Sequence, residues 1–189
     1  MKKFAGLDKI VLVGFKGSGK TRVGKLIAKK TGFEFLDIDS LIEDAHAEKS
    51  GKRASVRTIY KKLGGDYFKK LEGKALVRAA RTKGTVVSLG GGSPLNERFD
   101  KRKFRNAAFV FLDVPPDDLF GRIRRKGFPP FFDKKAPRRT FDELYKKRTP
   151  VYRRTADFRA GNSDKTPART CREILGLLQN RKSGKVLGV

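Results

Sequence analysis

Tryptophan is absent from this chain, and cysteine and histidine occur once each. A single cysteine, Cys171, excludes an intrachain disulfide and a cysteine metal cluster. Its spacing with Ile174, Leu175 and Leu178 predicts a packed core thiol rather than a nucleophile. The lone histidine, His46, falls in a charged helical stretch and reads as a surface residue, so zinc chemistry has no basis. No apolar run reaches the ~20 residues that span a bilayer. Met1-Lys2-Lys3 has the charge of a secretory leader, but Asp8 and Lys9 interrupt the stretch after it, and the chain is expected in the cytoplasm. Acid is scarce as well: 20 Asp+Glu face 46 Lys+Arg, so 46 − 20 = +26. Such a surface attracts polyanions and anionic substrates. The basic residues are spread along the whole chain, which reads as a solvated surface and makes nucleic acid the lesser candidate partner.

What is present suffices for a core. Hydrophobic residues make up 38% of 189 residues, which suits one domain. Residues 1–180 are the expected unit, monomeric, with 181–189 as a flexible tail.

The chain is organised around Gly14-Phe15-Lys16-Gly17-Ser18-Gly19-Lys20-Thr21. This fits G-x-x-x-x-G-K-[ST], the phosphate-binding loop. Glycines let the backbone turn its N–H groups toward phosphate oxygens. Lys20 would reach the β- and γ-phosphates, and the Thr21 hydroxyl would hold Mg²⁺, which prefers hard oxygen ligands. A strand over Lys9–Val13 enters the loop, and a helix over Thr21–Thr31, with Val23, Leu26 and Ile27 on one face, leaves it. That helix aims its positive end at the phosphates.

Strands and helices then alternate. Phe33–Ile38 is a second apolar run, ending in the Asp37-Ile38-Asp39 pair of acids, with Ser40 as the expected cap of the next helix. Helical spacing recurs at Val56, Ile59, Tyr60 and Leu63, and after Gly64-Gly65 at Phe68, Leu71, Ala75 and Ala79. A third strand, Thr85–Leu89, runs into Gly90-Gly91-Gly92, which suggests close approach of backbone to a ligand. A fourth strand spans Ala107–Val114, and Pro115-Pro116 opens a helix. Residues 127–140 hold prolines, phenylalanines and basic residues without a period and read as a lid. A helix over Phe141–Thr155, a weak strand at Asp157–Ala160 and a last helix over Ala168–Asn180 complete the pattern. It predicts an α/β fold, a parallel sheet covered on both faces in three α/β/α layers.

In such sheets ligands sit beyond the carboxyl ends of the strands. The phosphate loop, Asp37, Asp39 and the triple glycine should therefore converge on one crevice. A carboxylate there can accept hydrogen bonds from a vicinal diol or take the proton of an attacking hydroxyl. The competing reading of Asp37 and Asp39 is helix capping. The arrangement is that of a small-molecule kinase.

Gly-Phe-x-Gly-x-Gly-Lys-Thr, Phe-Leu-Asp37-Ile-Asp39, Gly65-Asp66-x-Phe68-Lys69-x-x-Glu72, Leu-Gly90-Gly91-Gly92 and Arg148-x-Pro150-x-Tyr152-Arg153 together closely resemble the shikimate kinase family. The motifs span residues 10 to 180. The resemblance implies a five-stranded parallel sheet of the P-loop kinase fold, similar to the nucleoside monophosphate kinases, and phosphorylation of the shikimate 3-hydroxyl by ATP and Mg²⁺. It implies that Asp39 holds the substrate diol and that Asp37 sits beside the metal or the reacting hydroxyl. Gly17, Ser18, Gly19, Lys20 and Thr21 would bind nucleotide, with Arg122 flanking the adenine. Gly91 and Gly92 would offer N–H groups, and Arg148 and Lys69 would face the substrate carboxylate. Lys69 stands where the family has Arg, and Phe128-Pro129-Pro130-Phe131 stands where its lid carries Arg-Pro-Leu-Leu. Two alternatives stay open: a kinase of another polyol acid such as gluconate, and a non-catalytic nucleotide-binding protein that contacts nucleic acid. For the missing lid cation, Arg138 or Arg139 is the expected substitute, swinging in as the lid closes.

Overall fold

The computed structural model describes residues 6–180. Its elements run β1 (Lys9–Val13), α1 (Lys20–Thr31), β2 (Glu34–Asp37), α2 (Ile38–Ser50), α3 (Val56–Arg81), β3 (Thr85–Ser88), β4 (Ala107–Asp113), α4 (Pro116–Lys126), α5 (Pro137–Thr155), β5 (Phe158–Gly161) and α6 (Pro167–Asn180). The tail expected at 181–189 lies outside the described residues.

The strands form one five-stranded sheet in the order β2-β3-β1-β4-β5, with every neighbouring pair parallel. Alternation along β1 explains the layering, because successive side chains of a strand point to opposite faces. Ile10 and Leu12 pack with Val23 and Ile27 of α1 and Cys171, Ile174 and Leu178 of α6. Val11 and Val13 face the other way, into a core with Ile42 of α2, Leu76 of α3, Ile123 of α4 and Phe141 of α5. Both faces of β1 are thus dry, and the near-continuous apolar run in the sequence follows from that. The three-layer α/β/α architecture and five parallel strands agree with expectation, and Cys171 is a core thiol.

Two local readings change. Asp37, not Ser40, caps α2: its carboxylate accepts from the Asp39 N–H, and the helix starts at Ile38. His46 is buried, with Nδ1 3.1 Å from the Tyr67 hydroxyl and Nε2 3.2 Å from Ser50 Oγ. Its ring joins α2 to α3, which helical spacing alone did not reveal. The two helical stretches expected on either side of Gly64-Gly65 are both present: α3 is broken at Gly64, whose φ of 79° and ψ of 173° are not helical. β5, a weak strand by its sequence because of Arg159, is held because that guanidinium pairs with Asp113 on β4. Asp157 adds a carboxylate that accepts from the Phe109 N–H at 2.9 Å. Among the described residues no helix is long and apolar enough to cross a membrane.

Candidate active site

Every strand ends at the same edge, and the loops that leave those ends line a cleft of about 1720 Å³. Beyond β1 lies the phosphate loop. Gly17 and Gly19 take φ of 85° and 97°, in the left-handed region where glycine alone is unstrained. A Cβ on Gly19 would lie 2.4 Å from Asn162 Nδ2. Among the described residues no side chain caps α1, and its first turn holds no acid. The free N–H groups of that turn, at the positive end of the helix, suit phosphate oxygens. The Lys20 ammonium spans the loop, donating to the Gly14 and Phe15 carbonyls at 2.8 and 2.9 Å. Ser18 Oγ is buried with no partner among the described residues.

At the end of β2, Asp37 has two roles at once. One oxygen caps α2, and the other accepts from Thr21 Oγ1 at 3.1 Å. This pair of hard oxygens fits Mg²⁺, which keeps most of its waters and takes one or two protein ligands. Among the described residues no cluster of three or more His, Cys, Asp or Glu forms a metal cage.

Asp39 lies one residue into α2 and opens into the cleft. Its residue surface is exposed to the cleft, but the cleft walls packed about the carboxylate, and then Asp37 beside it, push its pKa up to about 6 against the opposing pull of Lys20 and Lys16. Lys20 moves the other way. Burial pushes its ammonium down to about 8, partly offset by Asp39 and Asp37, while Lys16 and Arg148 reinforce the burial.

The turn after β3 brings the triple glycine against these groups. A Cβ on Gly90 would stand 3.6 Å from Asp39 Oδ1, and one on Gly91 would stand 3.5 Å from Arg148 Nη1. Gly92 lines the same wall. Arg148 projects from α5 with its guanidinium 5.5 Å from the Phe15 ring centre and 5.7 Å from that of Phe131, a cation held between two aromatic faces. The Tyr152 hydroxyl, one turn later, donates to the Gly91 carbonyl. Burial pushes that hydroxyl's pKa up, while Arg148 beside it pulls the other way.

Arg122 crosses from α4 to the loop after β5. It donates to the Asn162 and Ser163 carbonyls at 3.0 and 3.2 Å, and its other nitrogen reaches the Gly17 carbonyl at 3.5 Å. Lys69 lines the cleft at its rim, exposed, 3.9 Å from Asp66. Arg138 and Arg139 do not line the cleft. Both lie in the first turn of α5, Arg138 paired with Asp117 and Asp142 and Arg139 with Glu143. Neither stands at the cleft in this structure, and for one of them to replace a lid arginine on closure these pairs would have to break.

Three supporting residues escaped the sequence reading. Asn162 donates to the Ser18 carbonyl at 2.6 Å and accepts from Thr170, fixing the phosphate loop from β5. Glu72, buried, accepts from Ser93 Oγ and Asn96 Nδ2 at 2.7 and 3.0 Å and so anchors the segment after the triple glycine. Tyr152 does the same for Gly91. Glu72 and Tyr152 fall inside the family motifs, which was the available signal. Asn162 follows a weak strand in a turn-rich stretch, and nothing in its surroundings marks it.

A phosphate loop heading this sheet, with a carboxylate pair and a guanidinium across one cleft, makes the chain a nucleotide-binding protein of the P-loop kinase fold. More narrowly, it belongs to the shikimate kinase family, whose model, described as "Shikimate kinase", matches residues 16–179. The shikimate kinase of Persephonella marina is 36% identical over 170 residues, 90% of this chain and 98% of that one. That of Caldanaerobacter subterraneus is 35% identical over 89% and 95%. Among solved structures, shikimate kinase from Acinetobacter baumannii in complex with shikimate aligns with a TM-score of 0.83 at 29% identity, covering 96% of this chain and 98% of that one. A gluconokinase from Sinorhizobium meliloti, at 21% identity and a TM-score of 0.51, shares the fold alone.

Proposed function

We propose that this chain transfers the γ-phosphoryl group of ATP to the 3-hydroxyl of shikimate. The observation that carries the reading is the sharing of one cleft by a phosphate loop, Asp39 and Arg148. A diol acceptor and a carboxylate clamp together describe shikimate better than gluconate, and the solved relative holding shikimate supports it.

Lys20 and the amides of Gly17, Ser18, Gly19 and Thr21 hold the phosphates, and Arg122 flanks the adenine. Thr21 and Asp37 would hold Mg²⁺, which would supply neutralisation of phosphate charge. Asp39 accepts hydrogen bonds from the diol. Raised toward 6, it is a stronger base than an ordinary carboxylate and takes the 3-hydroxyl proton as that oxygen bonds to phosphorus. The β–γ bridging bond breaks, and ADP leaves with the electron pair. Arg148, pre-oriented between two rings, binds the substrate carboxylate as a planar fork. Gly91 and Gly92 present backbone to the ring, and Lys69 adds charge at the rim.

Residues 1–180 act as one unit in this reading, monomeric and cytoplasmic, with 127–140 as the lid. Phe131 supports the lid assignment, since its ring centre lies 5.7 Å from that of Tyr60 on α3 across the cleft. The test is a coupled ADP-release assay with shikimate, with gluconate and with no acceptor. Release only with shikimate is expected, and equal release without an acceptor would refute the reading.

A further inference from the structure

During phosphoryl transfer negative charge spreads over three equatorial oxygens, and a cation set against them lowers the barrier. The segment between α4 and α5 offers none at the cleft, where Pro129, Pro130 and Phe131 are its lining residues. Arg138 and Arg139 are held by acids elsewhere.

Lys16 is differently placed. It is the third residue of the phosphate loop, lines the cleft and is exposed there. Among the described residues no hydrogen bond or ion pair engages its ammonium. Its backbone nitrogen lies 3.3 Å from where a Cβ on Gly91 would stand, so the phosphate loop meets the triple-glycine turn at this residue. Its charge bears on both Lys20 and Asp39, the groups on the two sides of the transfer gap.

We infer that Lys16 is a catalytic cation of this site, its ammonium set against the transferring phosphoryl group between Lys20 and the acceptor carboxylate. The inference rests on the kinase reading above. In the step it serves, an acceptor oxygen bonds to the γ-phosphorus and the bond to the β–γ bridging oxygen breaks. The electron pair leaves on ADP, and the hydroxyl proton goes to Asp39. Charge on the equatorial oxygens peaks between these events, and Lys16 neutralises part of it. What the position needs is a positive charge on a long, flexible stem that can follow the moving phosphorus, which lysine supplies.

Lys16→Met, Lys16→Arg and Arg57→Met are assayed beside the parent for shikimate-dependent ADP release, with KM for both substrates and Tm measured for each. Arg57 is the useful comparison, since it is a cation of the same cleft that lies by the start of the lid, with Nη1 3.7 Å from a Cβ position on Gly127. Lys16→Met should lose about 10²-fold or more in kcat, the effect of removing one transition-state donor, with both KM values and Tm nearly unchanged. Lys16→Arg should recover most of the rate, and Arg57→Met should keep it. An active parent with a normal Lys16→Met overturns this inference alone. So does a loss that falls on KM only, that Lys16→Arg fails to recover, or that appears in Arg57→Met instead. A parent without shikimate-dependent turnover overturns the kinase reading, and this inference with it.

Discussion

Lys20 and Asp39 hold opposite charges in one cleft, and the protein draws both away from their ordinary pKa values. The consequence for pH is specific. Asp39 must be ionised to accept from the diol, so kcat/KM for shikimate should rise with pH through about 6. Lys20 must be protonated to hold phosphate, so kcat/KM for ATP should fall as pH rises through about 8. These limbs belong to the free enzyme, which is what kcat/KM reports. A profile flat from acid to alkaline pH would contradict both assignments. Asp39→Asn keeps the size and removes the charge. It should cut kcat/KM for shikimate about 10²-fold or more, abolish the acidic limb and leave nucleotide affinity nearly unchanged. Its Tm should not fall, because a carboxyl whose pKa is raised on folding is favoured in its neutral form, and ionisation near neutral pH works against the fold. A drop in Tm with equal loss of both affinities would make Asp39 a structural residue of α2. Tyr152 is the contrasting case. Tyr152→Phe leaves the Gly91 carbonyl without its donor in a part-buried setting, a loss of about 0.5–1.5 kcal/mol. A chain of this size then melts lower by about 2–4 °C per kcal/mol, which calorimetry would detect.

Among the elements, the phosphate loop and its two neighbours decide the geometry. Gly19 takes φ of 97° against Asn162 on the loop after β5. Gly19→Ala therefore combines backbone strain of about 1–3 kcal/mol with a clash that must displace Asn162. KM for ATP should rise at least about tenfold while KM for shikimate changes little; an unaltered ATP affinity would mean the loop does not hold the nucleotide in this conformation. The sequence made most of this layer legible, because β1 and α1 each carry a strong period and the glycine motif binds them together. Both carboxylates were visible as a short pair after a strand, but a pair so placed could equally have been capping residues. Asp37 turns out to cap α2 and also meet Thr21, a dual role that the folded arrangement alone distinguishes from either role by itself. The residues that hold the loops in place were the least legible. Asn162 acts on a partner 144 residues away, and no local pattern records such a contact. His46 misled for the same reason: its helix is charged, but its partner Tyr67 lies on the next helix. Arg138 and Arg139, the cations nearest the lid's end in the sequence, are held by acids on α4 and α5, and their own stretch does not reveal the one on α4.

Charge dominates at the scale of the whole molecule. The net +26 is not confined to a tail, and among the residues lining the cleft twelve cations face six acids. Both proposed substrates are anions, and a cleft with a net positive lining concentrates them. Raising salt from about 0.01 M to about 1 M shrinks the Debye length from about 30 Å to about 3 Å. Over that range kcat/KM should fall steeply for both substrates while kcat changes less, and a salt-independent kcat/KM would show that the excess charge does not steer substrates. The central claim is that the two halves of the cleft act on one another, nucleotide on one side and a diol-bearing carboxylate on the other. Phosphorus NMR of the products formed from ATP, Mg²⁺ and shikimate tests it most directly. The expected result is one phosphate monoester on the shikimate 3-hydroxyl, appearing in step with ADP. Inorganic phosphate as the only product, or ADP forming at the same rate without shikimate, would contradict the claim.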